Sequence, residues 1–275
     1  MGSKFSTTEY RYPYEYLILL LTFMVVLAVI AFTAAATVCG SAIFVPIIVI
    51  IGYLASRSRH HSLLENATRV TAQTAPELAP LINDCSIRLQ VEPVEVFIAP
   101  SSQLNAYTFG MDHPKSIVLY SSLFKLMDRD EIQFIIGHEM GHVKLGHTWL
   151  NTLVGGMAGI PSASAAGVIM ELAFQWWNRA CEYSADRAGV LACGKPTKAI
   201  TALVKLEAGP AARTQAGMQT AIQRIEAADG DLTENIAELL ASHPMISNRI
   251  EQIRRFTSTQ EYRNLQAEMD KNLSV

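Results

Sequence analysis

The stretch "IIGHEMGHVKLGH", Ile135 to His147, holds three of the chain's seven histidines together with a glutamate. His138, Glu139 and His142 form the pattern H-E-x-x-H. On a helix, positions i and i+4 share a face, so both imidazoles can reach one tetrahedral ion. Glu139, one step round, can stand on the open side of that ion and act as a general base. A catalytic site of this kind needs a third protein ligand and a vacant position. A third histidine ten residues after the first would be one solution, but that place is taken by Thr148, and His147 falls one short. The other solution is a glutamate from a later helix. "NRACEYSADRAG" offers Glu182 with Asp186 one turn on, and Asp186 can accept a ring N–H from a metal-bound histidine and fix its tautomer. The plain alternative for this pair is a solvated helix face laced with Arg179 and Arg187. Beside HEMGH the ligand reading is preferred.

The elements that must position these groups can be read from the hydrophobic pattern. "DRDEIQFIIGHEMGHVKLGH" opens with acidic residues in a first helical turn, where the helix dipole favours them. Gly141 leaves room for another element to approach that helix closely. Upstream, "SLLENATRVTAQTA" and "PELAPLINDCSIRLQV" show helical spacing. Two β-like runs follow, Val94–Pro100 and Ser116–Phe124, separated by the turn-rich "SSQLNAYTFGMDHPK". From Trp176 onward the chain reads as helices divided by "CGKP", "AGPAA", "ADGD" and "SHP". The fold expected is a mainly α, zincin-like domain with a small β-sheet beside the HExxH helix, an α+β arrangement.

The chain has 275 residues, of which 50% are hydrophobic and only 17% charged. That charged fraction is low for a soluble domain, which carries about 25%. From Tyr16 to Ser56 there is no charged residue. As one helix this run would extend about 60 Å, twice the roughly 30 Å of a bilayer core. Two spans turning near Cys39-Gly40-Ser41 are the economical solution, with one long helix kinked at Pro46 as the alternative. The expected organisation is a tail over 1–15, a transmembrane helical hairpin over 16–58 and a catalytic domain over 59–275. Lys4, Arg11, Arg57 and Arg59 flank the hairpin, which by the positive-inside rule puts both ends in the cytoplasm. A second uncharged run lies in Thr148–Met170, rich in Gly, Ala and Ser and broken by Pro161. Residues 148–177 are therefore a possible membrane-associated insertion.

The net charge of −3 and the lack of a basic tract exclude a nucleic-acid partner. Cys39, Cys85, Cys181 and Cys193 form no CxxC pair, so neither a disulfide framework nor a thiolate metal site is indicated. "MGSKFS" formally matches an N-myristoylation pattern at Gly2, but so short a pattern arises easily by chance.

"HEMGHVKLGH", "EYSAD" and "SHPMISNRI", in this order, resemble the HtpX-type membrane metallopeptidases, a family that also includes the CAAX prenyl endopeptidases. The pattern of that family is HExGHxxxxH, a downstream ExxxD and a late HPxxxxR. "NAYTFG", Asn105 to Gly110, is similar to the segment that precedes its active-site helix. The resemblance implies one zinc ion per chain held in gluzincin fashion by His138, His142 and Glu182, with Glu139 as general base. It also implies that Asp186 orients a zinc histidine, and that Asn105 and His243 hold the substrate backbone or steady the oxyanion. His147 is expected to cap its helix end or support the site, and Arg249 to tie the late helix to it. Members usually carry two clear spans between HExxH and ExxxD, where this chain has one weak run.

The activity expected is membrane-bound, zinc-dependent hydrolysis of peptide bonds, with polypeptides, membrane proteins among them, as substrates and a lipid bilayer as partner. The setting implied is a bacterial inner membrane, with the catalytic domain on the cytoplasmic side and unfolded or misassembled membrane proteins as targets. The run "SIVLYSSLF" is expected to be an edge strand to which a substrate adds. Two other readings stay open: a processing protease for one substrate, and a membrane-tethered scaffold with a closed structural zinc. The scaffold would need a fourth protein ligand and no Glu139.

Overall fold

The computed structural model describes residues 6–36, 40–154, 165–227 and 246–273. His243, Cys39 with the turn expected there, and the N-terminal Gly2 lie outside them, as does Pro161. A short 3-10 turn, Thr7–Glu9, precedes α1 (Glu15–Ala36) and α2 (Gly40–Leu64). Then come β1 (Thr68–Arg69), α3 (Ala79–Leu89), β2 (Val94–Ala99), β3 (Ala106–Phe109) and β4 (Lys115–Tyr120). The helical part follows as α4 (Leu123–Leu126), α5 (Arg129–Lys144), α6 (His147–Val154), α7 (Ala165–Cys193), α8 (Pro196–Ala208) and α9 (Gln215–Ala227). It ends with α10 (Ile246–Thr257) and α11 (Gln260–Leu273). Among the described residues the fold is mostly helical with one small sheet, as expected, and that sheet is mixed.

The sheet has the order β1-β2-β4-β3. β2 and β4 run parallel, while β1 on β2 and β3 on β4 are antiparallel. This corrects the reading of "SIVLYSSLF" as an edge. β4 is paired on both sides, and the edge beside α5 is β3, formed by "AYTF" out of the turn-rich segment. The helical reading of "SLLENATRVTAQTA" also fails beyond Leu64. β-branched Thr68 falls in β1, and Val70 continues the pairing by donating its N–H to the Val96 carbonyl. The Thr71 and Thr74 hydroxyls then accept from each other's backbone N–H, and the Thr74 hydroxyl donates to the Arg69 carbonyl, closing a turn rather than a helix.

The centre of the domain is the antiparallel-looking seam where α5 meets α7. α5 begins at a capping box: Asp128 accepts from the Asp130 and Glu131 N–H groups, and Glu131 reaches back to the Asp128 N–H. Its buried face, Phe134, Ile136 and Met140 among others, joins the main core with Leu191 and Leu203. Glycines on α5 meet small residues on α7. A Cβ built at Gly137 would stand 2.3 Å from the Ala192 Cβ, and one at Gly141 would stand 2.6 Å from that of Ala188. The two backbones therefore approach more closely than any side chain allows, and H-E-x-x-H is laid directly against E-x-x-x-D. Gly137→Ala is expected to wedge the seam open and destabilise the fold by about 1–3 kcal/mol, as overpacking does. Chemical denaturation in detergent would measure it.

α1 packs along α7 in antiparallel register, with the Thr22 hydroxyl donating to the Ala173 carbonyl and Ser184 to the Glu15 carboxylate. Among the described residues, one helix is long and apolar enough to cross a membrane by length and composition, over Glu15–Ala35. Only 11% of its most apolar window is buried, unlike the core helix of a soluble protein. Residues 10–15 do not trail away from the domain. Tyr10, Arg11 and Glu15 are buried, and the Tyr12 N–H donates to Ser184 on α7.

Candidate metal centre

The α5–α7 seam brings His138, His142 and Glu182 together, all buried, with one ligand atom of each within 4.8 Å of the others. The two Nε2 atoms converge to 3.2 Å. Glu182 faces both, one oxygen 3.3 Å from the His142 Nε2 and the other 3.6 Å from that of His138. The far side of each ring is already engaged. His138 Nδ1 lies 3.0 Å from Asp186, and His142 Nδ1 lies 3.1 Å from His147 Nδ1. With Nδ1–H donating outward, both Nε2 lone pairs point at the same spot. Two lone pairs and a carboxylate aimed at one point repel unless a cation lies between them, so the donor set fits a divalent metal.

Arg249 on α10 secures the carboxylates. Its Nε and Nη2 donate to the two oxygens of Asp186 at 2.8 and 2.7 Å, and Nη1 lies 3.3 Å from Glu182. Burial alone would raise both acids. The Arg249 guanidinium, then hydrogen bonds from the histidines, overcome it, holding Glu182 well below the usual carboxylate range and Asp186 also lowered. His142 shows the opposite balance: burial lowers it, but the hydrogen bond and charge of Glu182 prevail and raise it. Arg249 attracts Glu139 as well, but more weakly than the nearby histidines do. Burial, stronger than the attraction of His138 and His142, raises its pKa above that of an ordinary glutamate.

His147, at the first residue of α6, is buried between His142 and the N-terminal segment. Its Nε2 lies 3.0 Å from the Glu15 carboxylate. Burial pushes its pKa down to about 4, so the ring is neutral. Asn105 stands exposed just before β3, its Oδ1 accepting from the Ala106 N–H. It is not among the groups the seam draws together, although β3 itself touches α5. Arg11 and Glu15 were missed as site residues. In the sequence Arg11 counts only as a flanking charge, yet it is 8% exposed and ion-paired with Glu15 inside the protein. The available signal was an ionisable residue at the very start of an apolar span, which is a marker of function.

A helix bearing H-E-x-x-H against a second helix bearing E-x-x-x-D, with a small sheet at its side, defines a metallopeptidase-type site. The model of peptidase family M48 matches residues 70–257, and the chain belongs to that family. Among curated relatives, the chain is 27% identical over 229 residues to "Plastoglobule-localized metallopeptidase 48, chloroplastic" of Arabidopsis thaliana, covering 77% of this chain and 67% of that protein. It is 27% identical over 230 residues to the "Protease HtpX homolog" of Thermococcus kodakarensis, covering 69% and 77%. To the "Protease HtpX homolog" of Gemmatimonas aurantiaca it is 30% identical over 168 residues, covering 51% and 60%. The protein is thus an HtpX-like metalloprotease.

Proposed function

We propose that this chain is a membrane-bound zinc endopeptidase, with His138, His142 and Glu182 holding the metal and Glu139 serving as general base. The observation that carries the reading is the convergence of two imidazole Nε2 atoms on one carboxylate, with each Nδ1 already committed elsewhere. When bound, zinc supplies Lewis acidity, which makes water acidic and polarises a carbonyl. Glu139 takes the proton of the attacking water and returns it to the leaving amine. Its burial moves it towards the working range of such a base. Asp186, clamped by Arg249, keeps His138 in the ligating tautomer. Asn105 and His243 are assigned to the substrate backbone and the oxyanion. The place of Asn105 at the head of the edge strand supports its part of that assignment.

The substrate adds to β3 as an extended strand, held by main-chain bonds with little demand on sequence. This suits unfolded or misassembled membrane proteins, and hence quality control. A transmembrane hairpin is supported by the contact between α1 and α2 and by apolar side chains that both expose, such as Leu20 and Phe32 with Ile43 and Ile51. The start of α7, with Val168 and Ile169 exposed beside α1, is assigned to the same membrane layer. Exposed Arg57 and Arg59 support a cytoplasmic site in a bacterial inner membrane, whereas Arg11 lends less support now that Glu15 balances it internally.

The test is cleavage of casein by the detergent-purified full chain. A strong chelator is expected to abolish it and added zinc to restore it. Cleavage that survives complete removal of metal would overturn the proposal.

A further inference from the structure

His142 differs from His138 in one respect: its Nδ1 meets no carboxylate, only a second imidazole. His142 Nδ1 lies 3.1 Å from His147 Nδ1, and His147 Nε2 lies 3.0 Å from Glu15 at the head of α1. Two nitrogens can share a hydrogen bond in only one direction at a time. To ligate through Nε2, neutral His142 must carry its proton on Nδ1 and donate it to His147. His147 Nδ1 must then accept, so its proton sits on Nε2, where it needs an acceptor.

Two groups compete at that nitrogen. Glu15 offers a carboxylate oxygen, whereas the Arg11 guanidinium, 3.4 Å away, can only donate. Were Arg11 to win, His147 would carry its proton on Nδ1, and His142 Nδ1 would have to accept it. The remaining proton of His142 would then occupy Nε2, the atom that must face the metal. Glu15 is itself held in place by the Ser184 hydroxyl on α7 and by the Arg11 ion pair. Arg11 in turn donates to the Leu145 carbonyl at the end of α5.

We propose that Glu15 is a positioning residue of the metal centre, which acts through His147 to hold His142 in its ligating tautomer. The segment 11–15 lies ahead of residues 70–257, which the family model matches, so the site is completed by residues outside that matched region. The inference rests on the metal ligands proposed above. Glu15, His147 and Cys181 also lie close enough together to hold a cation of their own. Arg11 already supplies a positive charge on Glu15, and the ring nitrogens of His147 are both used, so the cluster serves as a relay rather than a second metal site.

The experiment is a titration of the metal-free full-length protein in detergent with cobalt(II), read by its d–d absorption, followed by zinc competition. The parent is expected to bind one equivalent. Glu15→Gln is expected to weaken binding by about 10–100-fold, the usual effect of losing a group that orients a ligand. The double variant Arg11→Met/Glu15→Gln is expected to bind more tightly than Glu15→Gln, because the competing donor is gone. A purely structural role for Glu15 predicts the reverse, since the double variant loses more contacts. Thr22→Val, which loosens α1 from α7 without touching the relay, is expected to bind as the parent does.

Parent-like binding by Glu15→Gln, a further loss in the double variant, or an equal loss in Thr22→Val would each overturn the proposal while leaving the metal reading intact. Two tight equivalents in the parent would overturn it as well, by making the cluster a second metal site. Failure of the parent to bind any metal would instead sink the metal reading, and this inference with it.

Discussion

Glu139→Gln is expected to lower casein cleavage by about 10²–10⁴-fold, the range that a positioned general base contributes, while leaving metal affinity nearly unchanged. The substitution preserves size and removes only the ability to take a proton. Glu139 makes no ion pair that the fold relies on. Its pKa is raised because burial penalises its charge more than His138 and His142 reward it. The neutral amide is therefore no worse a tenant of the site than the carboxylate, and the variant should be at least as stable as the parent. The loss should fall in kcat rather than KM, because the proton moves only as the bond breaks. Metal content by elemental analysis, set beside steady-state rates, would check it. A variant that retained parental activity would remove Glu139 from the mechanism.

Arg249→Met is expected to have the largest effect on stability. The guanidinium is buried, holds Asp186 with two hydrogen bonds and lies 3.3 Å from Glu182. Methionine fills similar volume but strands two buried carboxylates. Removing one partner of a buried ion pair typically costs about 3–5 kcal/mol, and at 7% exposure little solvent is available to screen the change. The loss should be largest in metal-free protein and smaller with zinc added, because a divalent ion compensates the charge of Glu182. Denaturant unfolding in detergent, with and without zinc, would separate the two. Equal losses under both conditions would show that Arg249 supports the fold independently of the metal.

Local signals made much of this legible. The acidic opening of α5 and the i, i+4 spacing of His138 and His142 are contained within one turn or two of chain, so sequence reading places them. Glu182 and Asp186 are likewise one turn apart, and Gly141 announces a close neighbour without naming it. What escaped was non-local. "AYTF" has too few residues to stand out from its turn-rich surroundings, and it becomes a strand only because β4 lies ready to pair with it. Glu15 and His147 are 132 residues apart, and no periodicity links them. His147 seemed a helix cap because its neighbours in sequence say nothing about a carboxylate arriving from the head of α1. The helical reading of residues 65–75 failed for the converse reason, since threonine hydroxyls there satisfy the backbone locally.

The register of α1 against α7 also fixes a height. Glu15 opens the apolar helix and is two hydrogen bonds from His142, so no stalk separates the candidate metal centre from the start of that helix. With α1 in a bilayer, the protease works flush with the surface. An extended chain gains about 3.3–3.6 Å per residue, so a loop emerging from a membrane span needs only a short reach to enter the site. A folded domain held well above the bilayer cannot come down to it. Distance from the membrane would thus screen substrates before any side chain is read, allowing a site with little sequence preference to leave most soluble folded proteins untouched.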